Sequence, residues 1–164
     1  MIATHWQRRI DSPLGPLRAT TDGKALLALD FDGDVRDSVE APGDAARFLD
    51  RVAAQVAEYF AGRRTAFDLP LAPRGTSFQQ DVWRALLSIP YGHTASYSDV
   101  ARTVGRPAAV RAVGAANGRN PIAIVVPCHR VIGADGTLTG YAGGLRRKQA
   151  LLALEARHAF ALQP

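Results

Sequence analysis

At 164 residues, with 47% hydrophobic and 21% charged side chains, the chain has the composition of a folded globular protein and not of a disordered one. No apolar run approaches the ~18 residues of a membrane-spanning helix, the N-terminus lacks a signal-peptide core, and a single cysteine excludes an internal disulfide or a multi-cysteine zinc site. We therefore expect a cytoplasmic protein with no membrane contact and no metal. Residues 1–73 hold nine Lys or Arg and eleven Asp or Glu, which gives this part a net charge of −2. Residues 74–164 hold eleven Lys or Arg and four Asp or Glu, which gives +7 and accounts for the total of +5.

The first third of the chain is predicted to form a small β-sheet followed by a helix. Short β-type runs alternate with segments rich in turn-forming residues. They are "HWQRRI" at 5–10, "PLRATT" at 16–21 and "ALLALDF" at 25–31. Residues 43–64 then place Phe48, Val52 and Val56 at helical spacing, with Asp44 as a candidate N-cap.

A domain boundary is predicted after this helix. Gly62 is expected to end the helix, and residues 65–75 contain several helix breakers typical of a linker. We therefore divide the chain into an N-terminal α/β domain, 1–73, and a C-terminal domain, 74–164.

The C-terminal domain is predicted to open with an amphipathic helix. Phe78, Val82 and Leu86 form its apolar stripe, and Ser77 with Gln80 three residues later fits a capping box. The following "TASY" is a candidate short strand.

Two short helices joined by a glycine-containing turn come next, which is a helix-turn-helix pattern shared with many helical pairs that bind nothing. Ser98 is a candidate cap of the first helix, Gly105 its end, and Pro107 suits the first turn of the second. The second helix should bury Val110 and Val113, with Asn117 on the same side. Its exposed face would present Ala108, Arg111, Ala115 and Gly118.

This exposed face carries one long cation among small residues. A helix that reads bases in the major groove usually presents several Arg, Asn, Gln or Ser side chains. The face therefore favours DNA binding with little sequence preference, in which Arg111 probes the base stack. The alternative is a surface arginine on an alanine-rich helix, and the basic charge of residues 74–164 likewise fits either a polyanionic partner or a solvated surface.

The single cysteine, Cys128, follows the apolar run "IAIVV", which is predicted to be a buried strand ended by Pro127. The adjoining His129 could supply the base that a free thiol needs at neutral pH. Neighbouring side chains of an extended chain point to opposite faces, so a bend or a bridging water is required. A cysteine is also often only a small packing residue, and these residues alone leave that alternative open.

The last predicted helix, in "GGLRRKQALLALEARHAF", places a carboxylate on its buried face. Glu155 shares that face with Leu151 and Leu152, and a buried carboxylate needs a partner. It could orient His129 and complete a Cys-His-Glu arrangement. It could instead form an ion pair with Lys148, Arg157 or Arg146.

Over most of residues 76–157 the chain closely resembles the O6-alkylguanine-DNA alkyltransferases (methylated-DNA–protein-cysteine methyltransferases). The segments that carry the resemblance are "SFQQDVWRALLSIPYGHTASYSDVA", "RAVGAANGRNP", "PCHRV", "YAGG" and "LLALE". The resemblance implies an α/β (α+β) fold, with a ribonuclease H-like sheet-and-helix N-terminal domain and a mainly helical, winged-helix-like DNA-binding C-terminal domain. It implies repair of O6-methylguanine, and of O4-methylthymine as a lesser substrate, by irreversible transfer of the alkyl group to the protein's own cysteine, without a cofactor.

The resemblance also implies roles for single residues. Cys128 would accept the alkyl group, and His129 would deprotonate it through a water. Glu155 would orient His129, with Asn120 supporting the arrangement. Tyr97 would donate a hydrogen bond to the flipped base. The rest of the base pocket would come from Tyr141, Ala142, Gly143 and the backbone of Cys128 and Val131.

The implied partner is double-stranded DNA containing alkylated bases, bound by a monomer through the minor groove with little sequence preference. Arg111 would fill the gap left by the flipped base. The other DNA contacts would come from Ser98, Ala112, Ala115 and Arg119.

Two features depart from the family pattern, and three other functions remain open. Ala142 stands where many relatives have serine, and the N-terminal zinc ligands of some relatives are absent. Arg130 is interpreted as a structural salt-bridge partner. The alternatives are a non-enzymatic lesion-binding protein, which Cys128 disfavours; a helix-turn-helix regulator, which the face around Arg111 disfavours; and a cysteine hydrolase that turns over repeatedly.

Overall fold

The structure is a computed structural model that describes residues 4–32, 34 and 40–162. The chain divides into two compact units, one ending at Arg74 and the other beginning at Gly75. In the part of the chain that the structure describes, the first holds a small sheet with one helix, and the second is mainly helical. The mixed α/β fold expected from the sequence is therefore confirmed. Within the described ranges, no helix combines the length and the apolar character needed to cross a membrane.

The first unit is built on a three-stranded antiparallel sheet in the order β1-β2-β3. Its strands are β1 (Trp6–Ile10), β2 (Leu17–Thr21) and β3 (Leu26–Asp30), which confirms the three predicted runs. The register pairs Trp6 with Thr21 and Ile10 with Leu17. Leu17, Leu26 and Leu29 are buried because the sheet packs its apolar side against a helix.

That helix is α1 (Gly43–Phe60), and its buried stripe includes the predicted Phe48, Val52 and Val56. The predicted capping by Asp44 is wrong: Pro42 occupies the N-cap position without a side-chain hydrogen bond, and Asp44 lies in the first turn, paired with Arg47. Gly62 ends the helix as predicted. Its φ of +75° places it in the left-handed region that glycine adopts without strain.

The segment after α1 is more structured than a linker. Leu26 donates its N–H to the carbonyl of Pro70 at 2.8 Å and accepts from Ala72 at 2.9 Å. Leu71 thereby forms a parallel bridge with Leu26 of β3. Breaker residues predict an interruption of regular structure, but an irregular segment can still hydrogen-bond to a sheet edge.

Within its described residues, the second unit contains four α-helices and a two-stranded parallel sheet. In chain order the elements are α2 (Ser77–Leu86), β4 (Ala95–Ser96), α3 (Tyr97–Thr103), α4 (Val110–Gly118), β5 (Val131–Ile132) and α5 (Leu145–Leu162). Trp83 of α2 donates its indole N–H to the carbonyl of Ala116 in α4 at 2.9 Å. This bond fixes α2 against α4 within a core of buried aliphatic side chains.

The caps of α2 and α3 are displaced from their predicted positions. Thr76, not Ser77, caps α2, with Gln79 completing the capping box. In "TSFQQ" both spacings satisfy the pattern, so the sequence does not choose between them. Ser96, not Ser98, caps α3 together with Asp99, because only Ser96 has a carboxylate three residues later.

The turn between α3 and α4 confirms the helix-turn-helix pattern with one correction. Gly105 has a φ of +76° just past the end of α3, as predicted. Pro107 lies in a turn, and α4 begins only at Val110. Val113 and Asn117 are buried and Val110 half-buried, as the helical spacing predicted.

The apolar run at 122–126 is buried but is not a strand. It forms consecutive turns, in which Val126 donates to the carbonyl of Ile122 at 3.0 Å. Ile124 has a φ of +72°, which is strained for a β-branched residue. The Asn120 side chain compensates by accepting from Ile122 N at 3.0 Å and donating to the carbonyl of Val126 at 2.8 Å.

Candidate active site

Cys128 begins a 3₁₀ turn, Cys128–Arg130, that leads directly into β5. The backbone at Cys128 and His129 is therefore turned and not extended. Only 5% of the Cys128 surface is exposed, and its carbonyl accepts from the N–H of Val131 and from the Asn117 side chain at 3.4 Å. The thiol is therefore held in a fixed, nearly closed position.

The pairing of β4 with β5 joins two distant parts of the site. Ala95 pairs with Val131 and Ser96 with Ile132 in a parallel register. Tyr97 follows β4 immediately, and the Cys128–Arg130 turn precedes β5 immediately. The short sheet therefore fixes the start of α3 beside the residues that follow the thiol.

A buried network connects His129, Glu155 and Arg130. His129 Nε2 lies 2.7 Å from Glu155 Oε2. Arg130 donates from Nε to Oε1 at 2.7 Å and from Nη2 to Oε2 at 3.0 Å, and its Nη1 donates to the carbonyl of Ile89 at 2.7 Å. Its guanidinium also lies 5.6 Å from the ring centre of Tyr91. Arg130 thus donates a hydrogen bond to each carboxylate oxygen of Glu155, and His129 contacts one of these oxygens, Oε2.

The electrostatics of this network fix the tautomer of His129. Burial opposes the charge of Glu155, but the hydrogen bonds from His129 and Arg130 outweigh it and lower the pKa of Glu155 to about 2. An ionised carboxylate only accepts hydrogen bonds, so His129 Nε2 carries the hydrogen and Nδ1 keeps its lone pair. Burial also lowers the pKa of His129, which keeps the ring neutral. Nδ1 is buried without a hydrogen-bond partner among the described residues.

The thiol of Cys128 is neutral at neutral pH. Burial raises its pKa, and this effect exceeds the opposing hydrogen bond from Asn120 and the positive charge of Lys148. The resting site therefore pairs a thiol with a neutral imidazole. A group that accepts the thiol proton is needed before the sulfur becomes a strong nucleophile.

Lys148 of α5 anchors the backbone around the thiol. Its buried Nζ donates to the carbonyl of Val131 at 2.6 Å and to that of Thr139 at 2.9 Å. The ion pair between Lys148 and Glu155 that the sequence left open is therefore not formed. Val131 keeps one carbonyl lone pair for a further hydrogen bond.

The other residues expected to line a base pocket lie before α5. Tyr141, Ala142 and Gly143 form a turn closed by a hydrogen bond from Gly144 N to Tyr141 O at 2.9 Å. The Tyr141 hydroxyl is buried without a partner in the described part of the chain. Burial, and then the nearby charge of a Cys128 thiolate, raise the pKa of Tyr141. Ala142 is exposed and Gly143 half-buried.

Ala108, which was predicted on the exposed face of the second helix, lies in the turn before α4, because the helix begins only at Val110. The rest of the outer face has the predicted composition: Arg111, Ala112, Ala115 and Gly118 are exposed, and so is Arg119 at the C-cap. Arg111 forms no hydrogen bond or ion pair with any residue in the described ranges, so its guanidinium is available to an external partner. The half-buried Ser98 is the second residue of α3.

The structure adds Asn117, Thr139 and Lys148 to the site residues selected from the sequence. Asn117 and Lys148 carried a sequence signal, since each is a polar residue on a helix face that is otherwise apolar. Thr139 carried none, because it lies in an irregular segment. Among the described residues, no three His, Cys, Asp or Glu side chains are grouped so that they could hold a metal ion.

Comparison with known proteins identifies the family to which this geometry belongs. The model of the 6-O-methylguanine DNA methyltransferase DNA-binding domain matches residues 77–157, and that of the same family's ribonuclease-like domain matches residues 7–73. The methylated-DNA–protein-cysteine methyltransferase of Methanosarcina barkeri is 52% identical over 150 residues, covering 89% of this chain and 94% of the relative. This chain belongs to the 6-O-methylguanine DNA methyltransferase family.

Solved structures of methyltransferases share the fold. The crystal structure of the Mycobacterium tuberculosis O6-methylguanine methyltransferase is 50% identical, covers 94% of each chain and has a TM-score of 0.83. A second structure of the mycobacterial protein, in complex with DNA, is 52% identical over 93% of each chain, also with a TM-score of 0.83. The match to the methyltransferase DNA-binding domain includes every site residue described above, from Tyr97 to Glu155.

Proposed function

We propose that this methyltransferase repairs double-stranded DNA by transferring the alkyl group of O6-methylguanine, and less readily that of O4-methylthymine, to Cys128. Each molecule acts once and needs no cofactor, because a thioether has no easy return path to the thiol. The observation that carries the proposal is the position of Cys128 beside the buried His129–Glu155–Arg130 network, inside the matched DNA-binding domain.

The first step is loss of the thiol proton. His129 Nδ1 holds the lone pair that accepts this proton, through a bridging water where the two side chains do not touch. The resulting imidazolium is stabilised by Glu155, which stays ionised because Arg130 holds it. Asn120 and Lys148 contribute further stabilisation of the thiolate.

The second step is in-line displacement at the alkyl carbon. A bond forms between Cys128 Sγ and the methyl carbon, while the bond from that carbon to O6 breaks and its electron pair remains on the base. Overall, the thiol proton replaces the methyl group on guanine, so atoms and charge balance.

The base reaches the thiol only after leaving the duplex, because a stacked base cannot contact a protein nucleophile. Tyr97 donates a hydrogen bond to the extruded base. Tyr141, Ala142 and Gly143 close the pocket, and the backbone of Cys128 and Val131 contacts the base edge. The backbone N–H groups of the Tyr141–Gly144 turn do not depend on the serine hydroxyl that Ala142 lacks.

The outer face of α4 binds the minor groove. Arg111 inserts where the base has left, while Ala112 and Ala115 permit close backbone approach. Arg119 and Ser98 contact the phosphate backbone. Small side chains read few base edges, so binding has little sequence preference, as a protein that searches for damage requires.

The proposed domain boundaries, oligomeric state and cellular location are those expected from the sequence. Residues 1–73 form the N-terminal domain and residues 74–164 the alkyltransferase domain, acting as a monomer in the cytoplasm.

Intact-protein mass spectrometry tests the function. The protein is incubated with excess duplex containing one O6-methylguanine, with Cys128→Ser as the matched control. We expect the wild type to gain one methyl group and to stop at one equivalent, while Cys128→Ser gains none. Binding of the lesion without any mass gain would instead indicate a lesion-recognition protein. Repeated turnover on an ester substrate would indicate a hydrolase.

A further inference from the structure

Thr139 connects two parts of the site through different atoms. Its Oγ1 lies 2.7 Å from the hydroxyl oxygen of Tyr97, and its carbonyl accepts from the buried Lys148 at 2.9 Å. The bond from Lys148 fixes the backbone of Thr139 and therefore the direction from which its hydroxyl approaches Tyr97. This part of the chain has no regular secondary structure, so these two contacts hold Thr139 in place.

Tyr97 is held at its ring as well as at its hydroxyl. A Cβ added at Gly114 of α4 would lie 3.7 Å from Tyr97 Cδ1, which places the ring against that helix. Tyr97 is also the first residue of α3, directly after β4. The phenol therefore has little freedom to move, and the remaining variable is the direction of its hydroxyl hydrogen.

We propose that Thr139 is a positioning residue that sets this direction. Each hydroxyl can donate one hydrogen bond and accept two. The ring nitrogens of O6-methylguanine carry no hydrogen, so a tyrosine that contacts one of them must donate. Tyr97 then has only lone pairs to offer Thr139, and Thr139 must be the donor. Its hydroxyl points the Tyr97 hydrogen at the base and strengthens that bond, because a hydroxyl that accepts a hydrogen bond is a better donor.

This inference rests on the proposed function. It requires a hydroxyl group at residue 139 but not a particular side-chain shape. Serine should therefore replace threonine, whereas valine, which has the same branching without the hydroxyl, should not. A residue that only packed in this segment would show the opposite order, because valine preserves its volume and serine does not.

Single-turnover rates on the O6-methylguanine duplex test the proposal. We expect Thr139→Val to slow methyl transfer about tenfold, the effect of losing one hydrogen bond, and Thr139→Ser to stay within about twofold of the wild type. Thr139→Ala should be slowed like Thr139→Val, since both lack the hydroxyl. Unfolding midpoints of all variants accompany the rates.

A double-mutant cycle separates this positioning from simple packing. In a Tyr97→Phe background, Thr139→Val should cause no further loss of rate, because Thr139 acts only through the Tyr97 hydroxyl. Equal losses in both backgrounds, or a Thr139→Ser variant as slow as Thr139→Val, would overturn the proposal. If the wild type itself transfers no methyl group, the proposed function fails instead, so the two failures are distinguishable.

Discussion

Replacing Arg130 by methionine tests whether the buried carboxylate network stabilises the fold. Methionine keeps an unbranched apolar side chain but removes both hydrogen bonds to Glu155 and the one to the Ile89 carbonyl. Glu155 has 1% of its side chain exposed, so water cannot replace the lost partner. Removing one member of a buried ion pair typically costs about 3–5 kcal/mol of the free energy of unfolding, and we expect a loss of that size at pH 7.

The loss should depend on pH with a defined sign. The pKa of Glu155 falls from 4.5 in the unfolded chain to about 2 in the folded protein. Its stabilising contribution is therefore present above pH 4.5 and disappears as the pH falls toward about 2. Without Arg130 the folded-state pKa of Glu155 rises, so the difference between wild type and Arg130→Met should shrink over this acidic range.

Urea unfolding followed by tryptophan fluorescence measures this difference. Trp83 lies in the same unit as the site, and a Trp6→Phe background removes the tryptophan of the other unit. Arg84→Met is the matched control, because Arg84 pairs with Asp81 on the surface, where the two side chains are 72% and 52% exposed. The control should lose no more than about 1 kcal/mol. If Arg130→Met loses no more free energy of unfolding than Arg84→Met, the network of Glu155, His129 and Arg130 does not stabilise the fold.

Three further predictions concern the thiol, the DNA-binding face and the turn segment before Cys128. In the folded protein without DNA, Cys128 should react with iodoacetamide at least about tenfold more slowly than in urea. The rate in the folded protein should rise only above the usual thiol pH range, because burial raises the pKa of Cys128. Equal rates in the folded protein and in urea would show that the thiol is accessible. Arg111→Ala should slow transfer from duplex DNA about tenfold or more, yet leave transfer from the free O6-methylguanine base unchanged, since only the duplex has a gap to fill; parallel losses on both substrates would contradict the role of Arg111. Asn120→Ala should lower the free energy of unfolding by about 2 kcal/mol, because it leaves the turns around Ile124 without their side-chain hydrogen bonds; thermal or urea unfolding checks this, and an unchanged midpoint would refute it.

The sequence predicted the contact between His129 and Glu155 and a salt bridge for Arg130, but it did not predict that Glu155 is the partner of Arg130. Helical spacing placed Glu155 on a buried face, and a carboxylate there requires a partner. The sequence offered Lys148, Arg157 and Arg146 as ion-pair partners, of which Lys148 lies on roughly the same helix face as Glu155. Lys148 turns instead to two backbone carbonyls, and Arg130 arrives from a turn 25 residues away in sequence. Which cation meets a buried carboxylate depends on tertiary contacts that no local pattern contains.

The run at 122–126 shows the same limit for secondary structure. Its β-branched residues predicted a strand, because such residues suit a pleated, half-buried surface. The Asn120 side chain instead accepts a hydrogen bond from the N–H of Ile122 and donates one to the carbonyl of Val126, and the segment forms turns. Burial was predictable from hydrophobicity, but conformation depended on where the backbone hydrogen bonds went.

The two-residue pairing of β4 with β5 has a consequence for how the length of this chain can vary. Two residues, His129 and Arg130, separate Cys128 from the strand that pairs with β4, and no residue separates β4 from Tyr97. One inserted or deleted residue in either place would displace the functional side chain relative to the sheet, by about 2 Å and a third of a turn in a 3₁₀ segment. Insertions in the exposed stretch around Gly136 would leave both spacings intact. Natural length variation should therefore concentrate there and be absent from the two junctions.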